Sequence, residues 1–418
     1  MENQGEKDMK KILKLIMAAT MALTLAACGT DSGKDNAVKL PETVTLKVWA
    51  SQDDQAVTQE MIDAFVKEQG AAHPEVKTWD IKLGVVGEPD AKTKYLEDPA
   101  AAADVFAFAN DQLTDLVNAG ALAEVTRNKA DIVARNGEGS IGAASKGEAL
   151  YAYPMTADNG YFLYYNKAVI TDPSTLDGIL DQAAKAGKKV FMDVSNGWYI
   201  ASFFLGNGGV LGVDKDGKQT CDFNNEKGLA AAEAIKAFTA HEAFITGDDS
   251  VLNAGFQDGT IVAGVSGAWN ADAMKTNLGD NYAATKLPTF TAGGEQVQMS
   301  SFGGYKLIGV NSQTKSDVMV VAMDLADYLT NEANQIKRFE ARGHGPSNIK
   351  AAAGDAVQAN VALAALSLQS QFAVSQNDVL GTYWAPAEAL GTTLEAKDYS
   401  KPMQELLDAM VQQITAAQ

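Results

Sequence analysis

From Thr43 to Ala50 apolar and polar residues alternate, with Val44, Leu46 and Val48 on one face, and this spacing predicts a strand. Val57, Met61 and Phe65, with Ile62 and Val66 beside them, then fall at helical intervals. Trp79, Ile81, Leu83 and Val85 alternate again, a short apolar strand covers 104–108, and a helix is expected over 113–122. The same alternation resumes past the middle of the chain, with strands at 189–194, 260–266 and 306–311 and a helix over 228–244. Beyond it, 317–329, 331–342, 355–368 and 402–414 carry apolar residues at intervals of three and four, so the last third reads as helical. Alternating strands and helices imply a mostly parallel sheet covered on its faces. No Pro- or Ser-rich linker divides the chain, so two α/β lobes joined by more than one crossing segment are expected.

The amino terminus departs from this pattern. Lys7, Lys10, Lys11 and Lys14 precede an apolar stretch over 15–25 that ends in Leu25-Ala26-Ala27-Cys28. This stretch is too short to span a membrane and has the layout of an export signal. Its last four residues resemble the bacterial lipobox, in which cleavage leaves a lipidated cysteine. Residues 1–27 are therefore expected to be a lipoprotein signal peptide, and 28–43, small and polar at their start, a flexible tether. The 418 residues carry 34 Lys and Arg against 53 Asp and Glu, a formal net charge of −19. Such a surface neither neutralises phosphates nor adheres to anionic lipid, so nucleic acid is excluded as a partner and membrane attachment would rest on the acyl chains of Cys28. With 46% hydrophobic and 21% charged residues the chain is globular. Two cysteines and three distant histidines provide no metal-ligand spacing, and no cofactor is expected. Cys221 reads as a lone packed thiol.

Several motifs have spacings that could carry chemistry. Gly137-Glu138-Gly139-Ser140-Ile141-Gly142 has the dinucleotide spacing but follows no convincing strand, and reads as a loop. Asp214-Lys215-Asp216-Gly217 reads as a hairpin turn rather than a calcium loop. The carboxylate pairs Asp53-Asp54 and Asp248-Asp249 leave a glycosidase as an alternative, although nothing in the sequence sets two acids across a cleft. The aromatics say more. Trp198, Trp269 and Trp384 stand among glycine, small or polar residues rather than in apolar runs, as rings offered to a sugar face would, although composition alone favours a core role for each tryptophan. A ring covering about 50–100 Å² of sugar contributes about 1–2.5 kcal/mol, against the roughly 8 kcal/mol of a micromolar complex.

The order of segments resembles the extracellular solute-binding proteins of bacterial ABC importers, and among them the maltose/maltodextrin-binding type. The resemblance is carried by Thr45-Leu46-Lys47-Val48-Trp49-Ala50, by residues 103–111 followed by 120–126, and by Tyr151-Ala152-Tyr153-Pro154 with Tyr164-Tyr165-Asn166-Lys167. Its most specific part is Phe256-Gln257-Asp258-Gly259 through Gly267-Ala268-Trp269, then Leu287-Pro288-Thr289-Phe290. It implies a two-lobed periplasmic-binding-protein fold of type II, with 44–156 and 305–355 in the first lobe and 157–304 and 356–418 in the second. It implies a monomeric, non-enzymatic protein at the extracellular face of the cytoplasmic membrane that passes malto-oligosaccharides to permease subunits driven by a cytoplasmic ATPase.

By motif position the resemblance sets Trp198, Trp269 and Trp384 on glucosyl units, with Tyr383 the alternative to the last. Phe108 falls where the other lobe supplies a ring, Asp53 and Asp111 match hydroxyl-binding acids, and Asp158 or Asn159 matches a glutamate at the crossing. Asp54 and Gln112 stand where the family carries a lysine and an arginine, and Asn196 where it carries a glutamate. Loss of those two cations implies a change in which hydroxyls are read, so another oligosaccharide class is the alternative ligand.

Overall fold

The computed structural model describes residues 39–416. The expected signal peptide, Cys28 and the tether up to residue 38 lie outside the described residues. Residues 40–43, expected in the tether, belong to the folded body: Leu40 is buried in the first lobe's core, and the backbone of Glu42 accepts from Lys77 and Thr78.

Among the described residues ten strands share one sheet, because two long strands belong to both lobes. The first crossing strand, Tyr153–Asn166, runs antiparallel to the second, Ser301–Val310. On one side of this pair the second crossing strand meets Val105–Ala109, followed by Thr43–Ala50 and Thr78–Val85 in parallel. On the other side the first crossing strand meets Ile261–Gly267, then Lys189–Phe191 and Phe244–Ile245. Tyr282–Thr285 adds to the first crossing strand and Ala373–Ser375 to the second. The first crossing strand carries one extra residue on each side of Thr156, where the register slips. Bulges of this kind turn a strand and re-aim its side chains, and here they set Asp158 and Asn159 on different surroundings.

The hydrophobic cores divide at the same pair. Tyr153 and Met155 pack in the first lobe's core with Leu307, Ile308 and Val310, whereas Tyr161, Leu163 and Phe302 pack in the second. Local chemistry explains the helix starts. Asn196, Asn225, Asp248, Asn331, Asn348 and Asn360 each accept from a backbone N–H of the turn they begin. Gly343, at φ 69, closes the helix Glu332–Arg342 in the left-handed conformation that a side chain resists, and so turns the chain toward the crossing strands.

Some elements differ from expectation. The helix foreseen over 355–368 breaks into Asp355–Gln358 and Val361–Ser370, and the helical last third contributes the strand Ala373–Ser375. Gly137 to Gly142 forms no phosphate loop: Glu138–Ala143 is a short helix, and a Cβ at Gly139 would lie 2.1 Å from the Tyr305 hydroxyl, so glycine there serves packing. Asp214 to Gly217 is the turn of the hairpin Leu211–Val213 and Gln219–Cys221, with the Asp214 carboxylate accepting from the N–H groups of Asp216 and Lys218. Cys221 is a free, half-buried thiol, and burial pushes its pKa up to about 12. No helix among the described residues is long and apolar enough to cross a membrane.

Candidate functional site

A cavity of about 540 Å³ opens between the lobes, within the size range of small-molecule sites. Trp198, Trp269 and Trp384 all line it, each half-buried and each at the start of a helical turn. Trp198 is the second residue of Gly197–Gly206, Trp384 the first of Trp384–Glu395, and Trp269 sits in the 3-10 turn Ala268–Asn270. Only the Trp198 helix begins with a side-chain cap, from Asn196, yet all three rings face the cavity from the first residues of their turns.

Each ring is held. The Trp198 N–H is capped by the Asn196 side chain, its carbonyl accepts from the Tyr161 hydroxyl at 2.8 Å, and its indole Nε1 donates to Gln376 Oε1 at 2.8 Å. The Trp269 indole donates to Asp249 Oδ2 at 2.9 Å. A Cβ at Gly267 would stand 2.0 Å from Trp269 Cζ3, so the indole lies directly against that glycine, and the Lys306 ammonium stands over the ring 5.7 Å from its centroid. The centroids of Trp198 and Trp269 are 5.8 Å apart at 36°. A sugar held between two rings needs roughly 7–8 Å, twice a carbon–carbon contact distance. The two rings therefore form adjoining panels of one bent floor and do not clamp a sugar between them.

Polar groups surround this floor. Asp53, Asp111, Asn159, Asn196, Asp249 and Glu388 line the cavity, as do Lys306, Arg342 and His344. The cations are matched to acids. Arg342 reaches Asp53 at 3.4 Å and Asp54 at 3.3 Å, Lys306 lies 3.9 Å from Glu88, and His344 contacts Asp54 at 3.5 Å and Asp158 at 3.1 Å. Burial opposes charge on His344 and Lys306 adds to that, yet the two carboxylates outweigh both and raise its pKa. Burial likewise works to discharge Lys306, but Glu88, Asp158 and Asp54 hold its pKa above the ordinary value. Asp54 is held well below the usual carboxylate range because His344, Arg338 and Lys306 overcome its burial. At Asp111 burial outweighs the hydrogen bond from Gln376 and the charge of Lys92, and pushes its pKa up to about 7.

Four of the residues foreseen by motif position stand away from the cavity. Phe108 is fully buried beside Phe106, because Val105–Ala109 is a central strand covered on both faces and alternation along it cannot aim a ring at the cleft. Asp54 is buried as partner of Arg342 and His344. Asp158 is buried at the bulge, where it accepts from Gly345 N at 2.7 Å, and its neighbour Asn159 faces the cavity instead. Tyr383 is buried with its hydroxyl donating to the Gly197 carbonyl, which leaves Trp384 as the lining ring of that pair.

The apparent loss of cations is also corrected. Gln112 spends its amide on the backbone of Lys92, Glu88 and Pro89, and position 54 carries an acid in place of a cation, but Lys306 and Arg342 enter the same cavity from elements far along the chain. Lys306, Arg342, His344, Gln376 and Glu388 were not found by sequence reasoning, and Asp249 was noted only as half of a carboxylate pair, not as a sugar-site residue. The one available signal for Asp249 was its place at the start of a helix beside Asp248, the cap. His344 stood between two glycines, a weak sign of close backbone approach.

The architecture defines a hinged two-lobed binding protein. Comparison with known proteins gives its family: residues 60–365 match the bacterial extracellular solute-binding protein model, and the chain belongs to that family. It is a solute-binding protein, not an enzyme. It is 31% identical over 415 residues to the galactooligosaccharide-binding protein of Bacillus subtilis, covering 94% of each chain. It is 24% identical to a maltooligosaccharide ABC transporter solute-binding lipoprotein of Streptococcus pneumoniae, covering 83% of this chain and 82% of that one. A solved chain with acarbose is 30% identical, with a TM-score of 0.80 over 89% of this chain and 99% of the other.

Proposed function

We propose that this protein captures neutral oligosaccharides, malto-oligosaccharides foremost, between its lobes outside the cell and delivers them to the permease of an ABC importer. The observation that carries this reading is the convergence of three half-buried tryptophans and a rim of acids and amides on one inter-lobe cavity. Apolar sugar faces stack on the indoles while hydroxyls donate to Asp53, Asp111, Asp249 and Glu388 and exchange hydrogen bonds with Asn159 and Asn196. Because Lys306, Arg342 and His344 already face carboxylates, an anionic sugar would find no uncommitted cation among these three. Contacts from both lobes reach one sugar only when the cleft is shut, so ligand favours the closed form that a permease reads.

Galacto-oligosaccharides are the second reading, supported by the Bacillus subtilis relative, which matches nearly the full length. Calorimetry of the protein with maltotriose, maltotetraose, β-1,4-galactotriose and trigalacturonate separates them. Maltotriose is expected to bind with micromolar affinity and trigalacturonate not at all; binding confined to the galactosides would overturn the malto-oligosaccharide reading. Attachment to the outer face of the membrane through lipid on Cys28 belongs to the same proposal and rests on the lipobox and on the lipoprotein relative. Radioactive palmitate is expected to label the wild type and not Cys28→Ala, and label retained by the variant would refute it.

A further inference from the structure

One segment ties the two lobes together across the cleft. Residues 376–380 are rooted in the second lobe: Val379 is buried in its core, and the Gln219 amide donates to the Asp378 carbonyl at 3.2 Å. The tip of the segment reaches the first lobe. The Gln376 Nε2 donates to Asp111 Oδ1 at 2.8 Å, and the Asn110 amide donates to Asn377 Oδ1. The same Gln376 side chain accepts from the indole of Trp198 in the second lobe, so one buried amide joins an acid of one wall to a ring of the other. Asn110 is itself anchored, since its Oδ1 accepts from the backbone N–H of Tyr305 on the second crossing strand at 2.8 Å.

We propose that Gln376, with Asn377, is a cross-cleft latch that holds the lobes together before sugar arrives and positions Trp198 for it. These hydrogen bonds join protein groups only and leave a cavity of about 540 Å³ beside them, so they stabilise the closed arrangement without any contact from a ligand. The latch then favours the closed form with or without ligand, and the fraction of molecules already closed multiplies the intrinsic affinity. Removing it leaves the sugar to do all of the closing. The proposal goes beyond the choice of ligand and does not depend on which oligosaccharide binds.

Small-angle scattering of the sugar-free protein tests it directly. Gln376→Met, of similar length but without the amide, and Asn377→Ala are each expected to raise the sugar-free radius of gyration above the wild type. With saturating maltotriose the variants should return to the wild-type value, with affinity weaker by roughly tenfold, the scale of one or two hydrogen bonds. Circular dichroism melts establish that both variants are folded, and either one suffices. Sugar-free scattering that superimposes on the wild type overturns the latch, even if affinity falls, because Gln376 would then act only on the ring or the ligand. A wild type that binds no sugar would sink the oligosaccharide reading alone, since the sugar-free arm still reads the latch.

Discussion

Trp198→Ala is expected to weaken oligosaccharide binding by about 30-fold or more while the protein remains folded. Removing the ring forfeits about 1–2.5 kcal/mol of sugar-face burial, and it strands the Gln376 acceptor, which adds about 1 kcal/mol. Together these exceed the 1.4 kcal/mol that corresponds to one decade of affinity. The neighbouring ring provides an internal check. Gly267→Ala deletes no cavity-lining side chain, yet its added methyl carbon would lie 2.0 Å from Trp269, so the indole must leave its seat. Its affinity is expected to fall toward that of Trp269→Ala. Calorimetry of the three variants decides the matter, and a Gly267→Ala protein that binds like the wild type would show that the seat of Trp269 is irrelevant to the ligand.

His344→Leu has the largest expected effect on stability. It leaves Asp54 and Asp158, both buried, without the imidazole that lies between them, and breaking a buried ion pair in this way costs on the order of 3–5 kcal/mol. The dependence on pH has a definite sign. The folded protein raises the pKa of His344, so its contribution is complete below the unfolded value of about 6.5 and is lost as pH rises through the raised value. Urea denaturation midpoints of wild type and variant should therefore lie far apart at pH 6 and draw together above neutrality. A gap that widens with rising pH would contradict the arrangement. At the acid end the same cluster fails for the opposite reason, because the pKa of Asp158 is held down to about 2 and its contribution disappears only as pH falls that far.

Much of the architecture was legible along the chain because it is local. The alternation of Val44, Leu46 and Val48 and the helical spacing of Val57, Met61 and Phe65 reflect which face each element buries, and those residues are buried as the spacing required. The three tryptophans, which all line the cavity, were singled out by motif position in the family resemblance, because their local neighbours alone left a core role open for each ring. Phe108 was misread because motif position says where a residue lies along a strand, not whether both faces of that strand are covered. The sequence also could not separate Asp158 from Asn159 or Tyr383 from Trp384, since a bulge or one step of helix start decides which neighbour turns outward.

Periodicity, composition and the family resemblance thus established the lobes, the aromatic floor and an acidic chain without a basic surface. Only the tertiary structure decided which charges meet. Lys306 lies on a crossing strand, Arg342 at a helix end and Gln376 beyond a late edge strand, and they converge with Asp53 and Asp111 across separations of nearly 200 residues or more. Hydrogen bonds and ion pairs act over a few ångströms of space, whereas sequence pattern records only neighbours along the chain. The polar half of the site therefore existed nowhere until the two crossing strands brought the lobes face to face.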